Sequence, residues 1–181
     1  MEEDKRDYEI FLGGDNVGFE RLVLRYKDAL IQFIMRYIKD IYLAEDLAQD
    51  AFVEVLLHKE RYRMDMSFKT YLYTIGRNKA IDYIRKNSTI VFTEDYAEAG
   101  AAIQDERLLE EQVIKEEEKR ELYQWLKQLK PEYERVLYLI DLEELSYAET
   151  AKIIGKSENQ VRVLIHRARK KLQQLVQDKK A

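Results

Sequence analysis

The stretch SYAETAKIIGKSENQVRVLIHRARKKL, Ser146–Leu172, holds two helices and the turn between them. Ser146 with Glu149, and Ser157 with Gln160, each make the Ser-x-x-Glu/Gln capping box that satisfies backbone donors at a helix start. Gly155 falls where a helix closes through a left-handed residue. The second helix is two-sided. Val161, Leu164, Ile165, Ala168, Leu172, Leu175 and Val176 share one face at helical period. Asn159, Arg162, Val163, His166, Arg167 and Lys170 share the other. A helix, a tight glycine turn and a basic helix form the helix-turn-helix pattern. The spacing predicts that Asn159, Arg162, Val163 and His166 face base edges in a DNA major groove, with Arg167, Lys170 and Lys171 near phosphates. A basic face that is merely solvated is the plainer alternative; two capping boxes flanking a tight turn favour DNA.

Charge is segregated along the chain. The net charge of −4 over 181 residues hides a front half, 1–90, that is nearly neutral. Residues 91–119 carry 3 Lys/Arg against 10 Asp/Glu, and residues 120–181 carry 13 against 9. Cysteine is absent, which excludes disulfides, a thiol nucleophile and Cys-ligated zinc and fits a reducing compartment. The first ten residues, MEEDKRDYEI, lack the apolar run of a secretory leader, and ALIQFIMRYI is interrupted by Gln32 and Arg36 and too short to cross a bilayer. A soluble, cytoplasmic protein is expected. Six glycines and one proline argue for helix over sheet.

Outward from the helix-turn-helix, the rest of the back half predicts two further helices. RELYQWLKQL would bury Leu122, Leu126 and Leu129. Pro131 opens the next at a position where a missing amide donor does no harm, with Tyr133, Val136, Leu137 and Ile140 facing inward. In the front half, FERLVLRYKDALIQFIMRYI carries one buried stripe through Phe19, Leu22, Val23, Tyr26, Leu30, Phe33, Ile34 and Tyr37. Leu24, Ile31, Met35 and Ile38 form a second, which predicts a helix covered on most sides. Gly13–Gly14 before Asp15 is a loop or a helix start. Residues 90–117 carry the acidic excess and an AEAGAA patch, and are expected to be an acidic flexible linker with helix resuming before Glu116.

Helix 43–58 has an inner side of Ala44, Leu47, Ala48, Ala51 and Val55. Its outer side carries Asp46, Gln49, Asp50 and Glu54 around Val53 and Leu57. Carboxylates ringing apolar residues suit docking to a basic protein surface; a solvated acidic face with two stray hydrophobes is the alternative. Asp46, Asp50 and Glu54 also stack four apart, which could hold Mg²⁺ as in helical nucleotide hydrolases. No second carboxylate pair or phosphate-binding glycine loop supports that version. Helix 68–86 places Phe68, Tyr71, Leu72 and Ile75 on one side and Tyr73, Ala80 and Ile84 on another. Lys69, Arg77, Asn78, Lys79, Arg85 and Lys86 lie between and beyond them. Aromatics interleaved with cations can stack unpaired bases while tracking a backbone; tyrosines in a core beneath solvated cations are the alternative. His58 and His166 lie in different halves, and no nucleophile elbow, metal-ligand pair or phosphate loop is present. Neither an enzyme nor a cofactor or metal site is expected.

Taken in order, these segments resemble the extracytoplasmic-function (ECF) class of bacterial sigma-70 family sigma factors. EDLAQDAF (45–52) is similar to that family's core-polymerase-binding helix. SFKTYLYTIGRNKAIDYIRK (67–86) resembles its promoter-melting helix, and residues 126–172 resemble its carboxy-terminal helix-turn-helix domain. The family commonly turns into its recognition helix with Gly-Thr-Val, where this chain has Asn159, Gln160 and Val161. A small and then a basic residue usually follow, where this chain has Val163 and Leu164.

The resemblance implies an all-α chain of two small helical domains joined by a linker. Residues 1–89 would form a sigma-2-like domain for core binding and minus-ten melting, 90–117 the linker, and 118–181 a sigma-4-like domain for the minus-thirty-five element. Asp46, Gln49, Asp50, Val53, Glu54 and Leu57 would then meet the clamp helices of the polymerase largest subunit. Arg61, Arg63, Lys69, Tyr71, Tyr73, Arg77, Asn78, Arg85 and Lys86 would meet the minus-ten DNA, with extruded bases held in a protein pocket. The back domain would hold the flap of the second-largest subunit and contact the minus-thirty-five DNA through Asn159, Gln160, Arg162, Val163, His166, Arg167 and Lys170. Duplex and single-stranded promoter DNA and core RNA polymerase are the implied partners, and members of this class are often held by an anti-sigma factor. Two rivals remain: a free-standing helix-turn-helix regulator of duplex operators, and a Mg²⁺-dependent all-α nucleotide hydrolase.

Overall fold

The structure, a computed structural model, describes residues 2–90 and 122–180, and every regular element among them is helical. The chain divides into two compact units, Met1–Ala102 and Ile103–Ala181. The expected linker from residue 91 onward, and the helix expected to resume before Glu116, lie outside the described residues.

The front unit contains α1 (Glu2–Leu12), α2 (Asn16–Ile34), α3 (Ile41–Leu57), a 3₁₀ turn over Lys59–Arg61 and α4 (Phe68–Ile90). The α1 helix is a correction to the sequence expectation, which assigned no element before Gly13. Its inward stripe is Asp4, Asp7, Tyr8 and Phe11, all buried. Two of these four positions are carboxylates, so no apolar periodicity marks the helix. They are answered from α2: the Arg25 guanidinium donates to Asp4 at 2.7 Å and to Asp7 at 2.9 Å, and the Tyr26 hydroxyl donates to Asp4 at 2.9 Å. Burial disfavours the charge on Arg25, but the bonds to Asp7 and Asp4 outweigh it and hold its pKa above the ordinary value. The two helices cross closely at Gly18, where an added Cβ would sit 2.0 Å from the Asp7 carbonyl oxygen. Only glycine fits there.

Caps fix the other starts. The Asp15 side chain accepts from the Val17 amide and that of Asp40 from the Leu43 amide, each worth about 1 kcal/mol. The α2 helix is bare along part of one side: Leu24 is 81 % exposed, so the second stripe does not make it a helix covered on most sides, although Ile31 and Ile38 are buried. In α3 all five expected inner residues are buried, joined by Ile41 and Phe52. In α4, Phe68, Leu72, Ile75 and Ala80 are buried, and the helix runs to Ile90, past the expected end at residue 86.

The back unit contains a short helix α5 over 122–126, α6 (Pro131–Leu137) running into a π turn (Tyr138–Leu142), α7 (Tyr147–Ile154) and α8 (Glu158–Lys180). Its core gathers Leu126, Leu129, Val136, Leu137, Ala151, Val161, Ile165 and Ala168. Fully burying each Val, Leu or Ile contributes about 1.5–3 kcal/mol. Both capping boxes form. The Ser146 hydroxyl accepts from the Glu149 amide while Glu149 accepts from the Ser146 amide. The Ser157 amide donates to Gln160 Oε1 at 2.8 Å, and the Gln160 amide donates to the Ser157 hydroxyl at 3.3 Å. Gly155 closes α7 at φ 67°, a left-handed conformation that costs other L-residues about 1–2 kcal/mol.

Candidate docking and nucleic-acid interfaces

The outer face of α3 is solvent-facing. Asp46, Gln49 and Asp50 are exposed, as are Val53, Leu56 and Leu57, with Leu57 68 % open. Glu54 stands apart from them. Its Oε2 lies 2.9 Å from Lys79 Nζ on α4, so this carboxylate ties two helices together. Asp50, Val53, Glu54 and Leu57 line one side of a shallow groove of about 450 Å³, and His58, Arg61 and Lys79 complete it. Tyr42 and Leu56 extend the exposed apolar area; sequence spacing passed over both. Asp46, Asp50 and Glu54 do not form an ion site: among the described residues no group of three or more His, Cys, Asp or Glu could hold a metal ion.

A loop leads from α3 into α4, and α1 anchors it. The Tyr8 hydroxyl donates to the Lys59 carbonyl and the Tyr62 hydroxyl to the Met66 carbonyl, both at 2.7 Å. The rings of Tyr8, Tyr62 and Phe68 pack together with centroids 4.6–5.6 Å apart. Burial, then the nearby carboxylates of Asp4 and Asp65, push the Tyr62 hydroxyl up to about 12. Arg61 and Arg63, on either side of this buried tyrosine, are exposed. Ser67 caps α4 by accepting from the Thr70 amide at 3.2 Å.

Along α4, helical period stacks Tyr71, Asn78 and Arg85 one above another. Tyr71 is half-buried, its ring 5.1 Å from that of Tyr62; burial and then Glu54 raise its pKa. Asn78, Arg85 and Lys86 are exposed. Arg77 is partly buried and donates to Asn78 Oδ1 at 3.2 Å. Tyr73 is a correction. It is fully buried and stacked on Phe33 at 4.8 Å, with Lys69 Nζ 5.8 Å above its ring. A ring enclosed in the core meets no base, and it leaves the set of nucleic-acid contacts. Lys69 covers it from outside.

In α8, Val161, Ile165 and Ala168 are buried, whereas Asn159, Arg162, Val163, His166, Arg167 and Lys170 are exposed. Asn159, Val163 and Arg167 line a shallow groove of about 370 Å³ with Lys156, Gln160 and Leu164. The Gln160 side chain serves the capping box through Oε1, so its first duty is to the helix start. Arg162 is held from two directions: its Nη2 donates to Glu158 at 2.5 Å, and its guanidinium carbon lies 4.9 Å from the centre of the Tyr147 ring. Arg169 was absent from the predicted set. It forks onto both carboxylate oxygens of Asp141 in the π turn, which raises its pKa and braces α8 against that turn. Its partner lies 28 residues back, beyond any local pattern. The geometry gives one acidic-and-apolar helix face, one aromatic-and-basic helix with an anchored loop, and one duplex-sized basic helix. No described helix is long and apolar enough to cross a membrane.

Comparison with known proteins matches residues 22–90 to the family described as Sigma-70 region 2 and residues 119–172 to Sigma-70, region 4. The chain is similar to the ECF RNA polymerase sigma factor SigW of Bacillus subtilis, 30 % identical over 91 % of this chain and 92 % of that one. Among solved structures it is similar to CnrH in complex with the cytosolic domain of CnrY, at TM-score 0.68 and 25 % identity, covering 97 % of this chain and 98 % of that one. It is also similar to the sigma factor RpoE in complex with the anti-sigma factor NepR from Bartonella quintana, at TM-score 0.63 and 26 % identity, covering 88 % and 96 %.

Proposed function

The chain belongs to the ECF sigma factors of the sigma-70 family, non-enzymatic proteins that direct transcription initiation, and from that premise we propose how its residues divide the work. The front domain, residues 1–89, docks on the clamp helices of the polymerase largest subunit through Asp46, Gln49, Asp50, Val53 and Leu57. Exposed carboxylates around exposed apolar side chains suit a basic partner surface with an apolar centre. Glu54 supports this face indirectly by fixing Lys79 and hence α4.

The loop 61–66 and α4 open the minus-ten element. Asn78 and Arg77 read bases, Tyr71 offers a ring edge, and Arg61, Arg63, Lys69, Arg85 and Lys86 follow the backbone. The back domain, residues 118–181, holds the flap of the second-largest subunit and places α8 in the major groove of the minus-thirty-five element. There Asn159, Arg162, Val163 and His166 address bases, while Arg167 and Lys170 address phosphates. Residues 90–117 connect the two domains in sequence and carry an acidic excess. Work of this kind belongs in the cytoplasm, with the polymerase. The two solved relatives are complexes with an anti-sigma factor or with a cytosolic protein domain, which supports a protein inhibitor as a further partner.

One observation carries the proposal: α8 buries Val161, Ile165 and Ala168 while exposing Arg162, Val163, His166, Arg167 and Lys170 behind a capped start. Run-off transcription with purified core polymerase tests it. Discrete products are expected only when the protein is added, and an unchanged product pattern would contradict it.

A further inference from the structure

Arg162, on the face of α8 proposed to meet DNA, is held before any DNA arrives. Its Nη2 donates to Glu158 one turn back in the same helix, and its guanidinium carbon lies 4.9 Å from the centre of the Tyr147 ring of α7. Tyr147 is itself fixed. It packs against the back-unit core and lies beside Arg169, which is forked onto Asp141. Yet more than half of the Arg162 side chain remains open to solvent, 56 %. A planar guanidinium carries five donors. With one nitrogen engaged by Glu158 and the group set over the Tyr147 ring, the remaining donors stand open to an acceptor.

Two acceptor types suit that open edge: a phosphate, and the O6 and N7 pair of guanine. Glu158 separates them. A carboxylate beside a phosphate contact opposes it by like charge, whereas beside a base edge it orients the fork at little cost. Asn159 and Val163, also exposed on α8, line a shallow groove; an amide and a branched apolar group are base-reading types.

We propose that Tyr147 and Glu158 are positioning residues that fix the Arg162 guanidinium so that its open edge selects one guanine in the upstream promoter element. This rests on α8 entering the major groove, as proposed above. The pair acts before binding: a fork already oriented loses less freedom on contact and tolerates a displaced acceptor poorly. Selectivity is thus set partly by a side chain of α7 that touches no base.

The test uses the full chain with core polymerase on a promoter library randomised across the upstream element, reading transcript yield base by base. Four variants are compared: Arg162→Ala, Glu158→Gln, Tyr147→Leu and Tyr147→Phe. Arg162→Ala removes a guanine preference at one position. Glu158→Gln and Tyr147→Leu lower that same preference by about threefold or more and leave the other positions as they were; Tyr147→Phe, which keeps the ring, retains it. Glu158→Gln, having lost a negative charge, also binds the whole library more tightly while choosing less well, a pairing that loss of folding does not produce. If Arg162→Ala removes the preference but Glu158→Gln and Tyr147→Leu leave it intact, the positioning role is wrong and Arg162 still reads its base. If Arg162→Ala alters no position, the assignment of Arg162 falls and the proposal with it. If Tyr147→Leu weakens every position alike and Glu158→Gln behaves as the wild type, Tyr147 serves packing alone.

Discussion

Arg25→Ala removes a cation bonded to both Asp4 and Asp7, whose side chains are 8 % and 4 % exposed. Stripping one partner from a buried ion pair costs about 3–5 kcal/mol. Three features reduce that figure here. Arg25 is itself 28 % exposed, Arg21 stands 3.4 Å from Asp7, and the Tyr26 hydroxyl still donates to Asp4. A loss of about 2–3 kcal/mol follows, equal to a fall of about 10–20 °C in the midpoint of a unit this size. The molecule supplies its own control. The single tryptophan of the sequence, Trp125, is buried in the back unit. Far-ultraviolet circular dichroism follows the helices of both units, and tryptophan fluorescence follows the back unit alone. In Arg25→Ala the dichroism transition should split, its earlier part moving down while the Trp125 transition stays within about 2 °C of the wild type. A front transition that moves by less than about 4 °C, or a Trp125 transition that moves equally, would refute the idea that this clamp fastens α1 to the front unit.

Three other outcomes are expected. Tyr62 ionises at about 12 in the folded chain against about 10 unfolded, and Tyr8 and Tyr26 are raised in the same direction. Their contribution to stability is full below about pH 10 and is lost as pH rises through 12; alkaline titration by tyrosinate absorbance should show a late group of tyrosines appearing together with loss of helix, and a single transition near pH 10 would contradict it. Leu57→Asp, at an exposed position, should change stability by less than about 0.5 kcal/mol yet weaken core-polymerase association at least about tenfold, measured by equilibrium binding of labelled protein. Asn78→Ala should lower the single-strand reactivity of promoter thymines to permanganate while core association holds; reduced association instead would show that α4 shares the docking surface.

The elements that the sequence foretold best were those whose partners lie within one helical turn. Both capping boxes, the Gly155 closure and the split faces of α8 follow from residues three or four apart, and a single chain shows them. The α1 helix escaped because Asp4 and Asp7 occupy inward positions that look polar until Arg25 of α2 is brought beside them. Tyr73 was placed among the DNA contacts because it alternates with cations in sequence; α4 is enclosed on several sides over its first two turns, so the aromatic there packs on Phe33. Leu24 erred in the opposite sense. Helical period put it on a covered stripe, yet it is open. The Arg169–Asp141 fork, which meets the π turn over Tyr138–Leu142, reaches across 28 residues, and Glu54 meets Lys79 across a similar gap. Side-chain chemistry was legible; pairing between helices was not.

On the proposed division of labour, one chain confers promoter choice on core RNA polymerase through two separate DNA-reading helices, α4 and α8. Mapping the 5′ ends of transcripts made on genomic DNA by core polymerase, with and without the protein, tests it most directly. Starts that appear only with the protein, preceded by two shared sequence elements at a constant spacing, are the expected result. Starts scattered as they are with core polymerase alone, or sharing no upstream sequence, would contradict it.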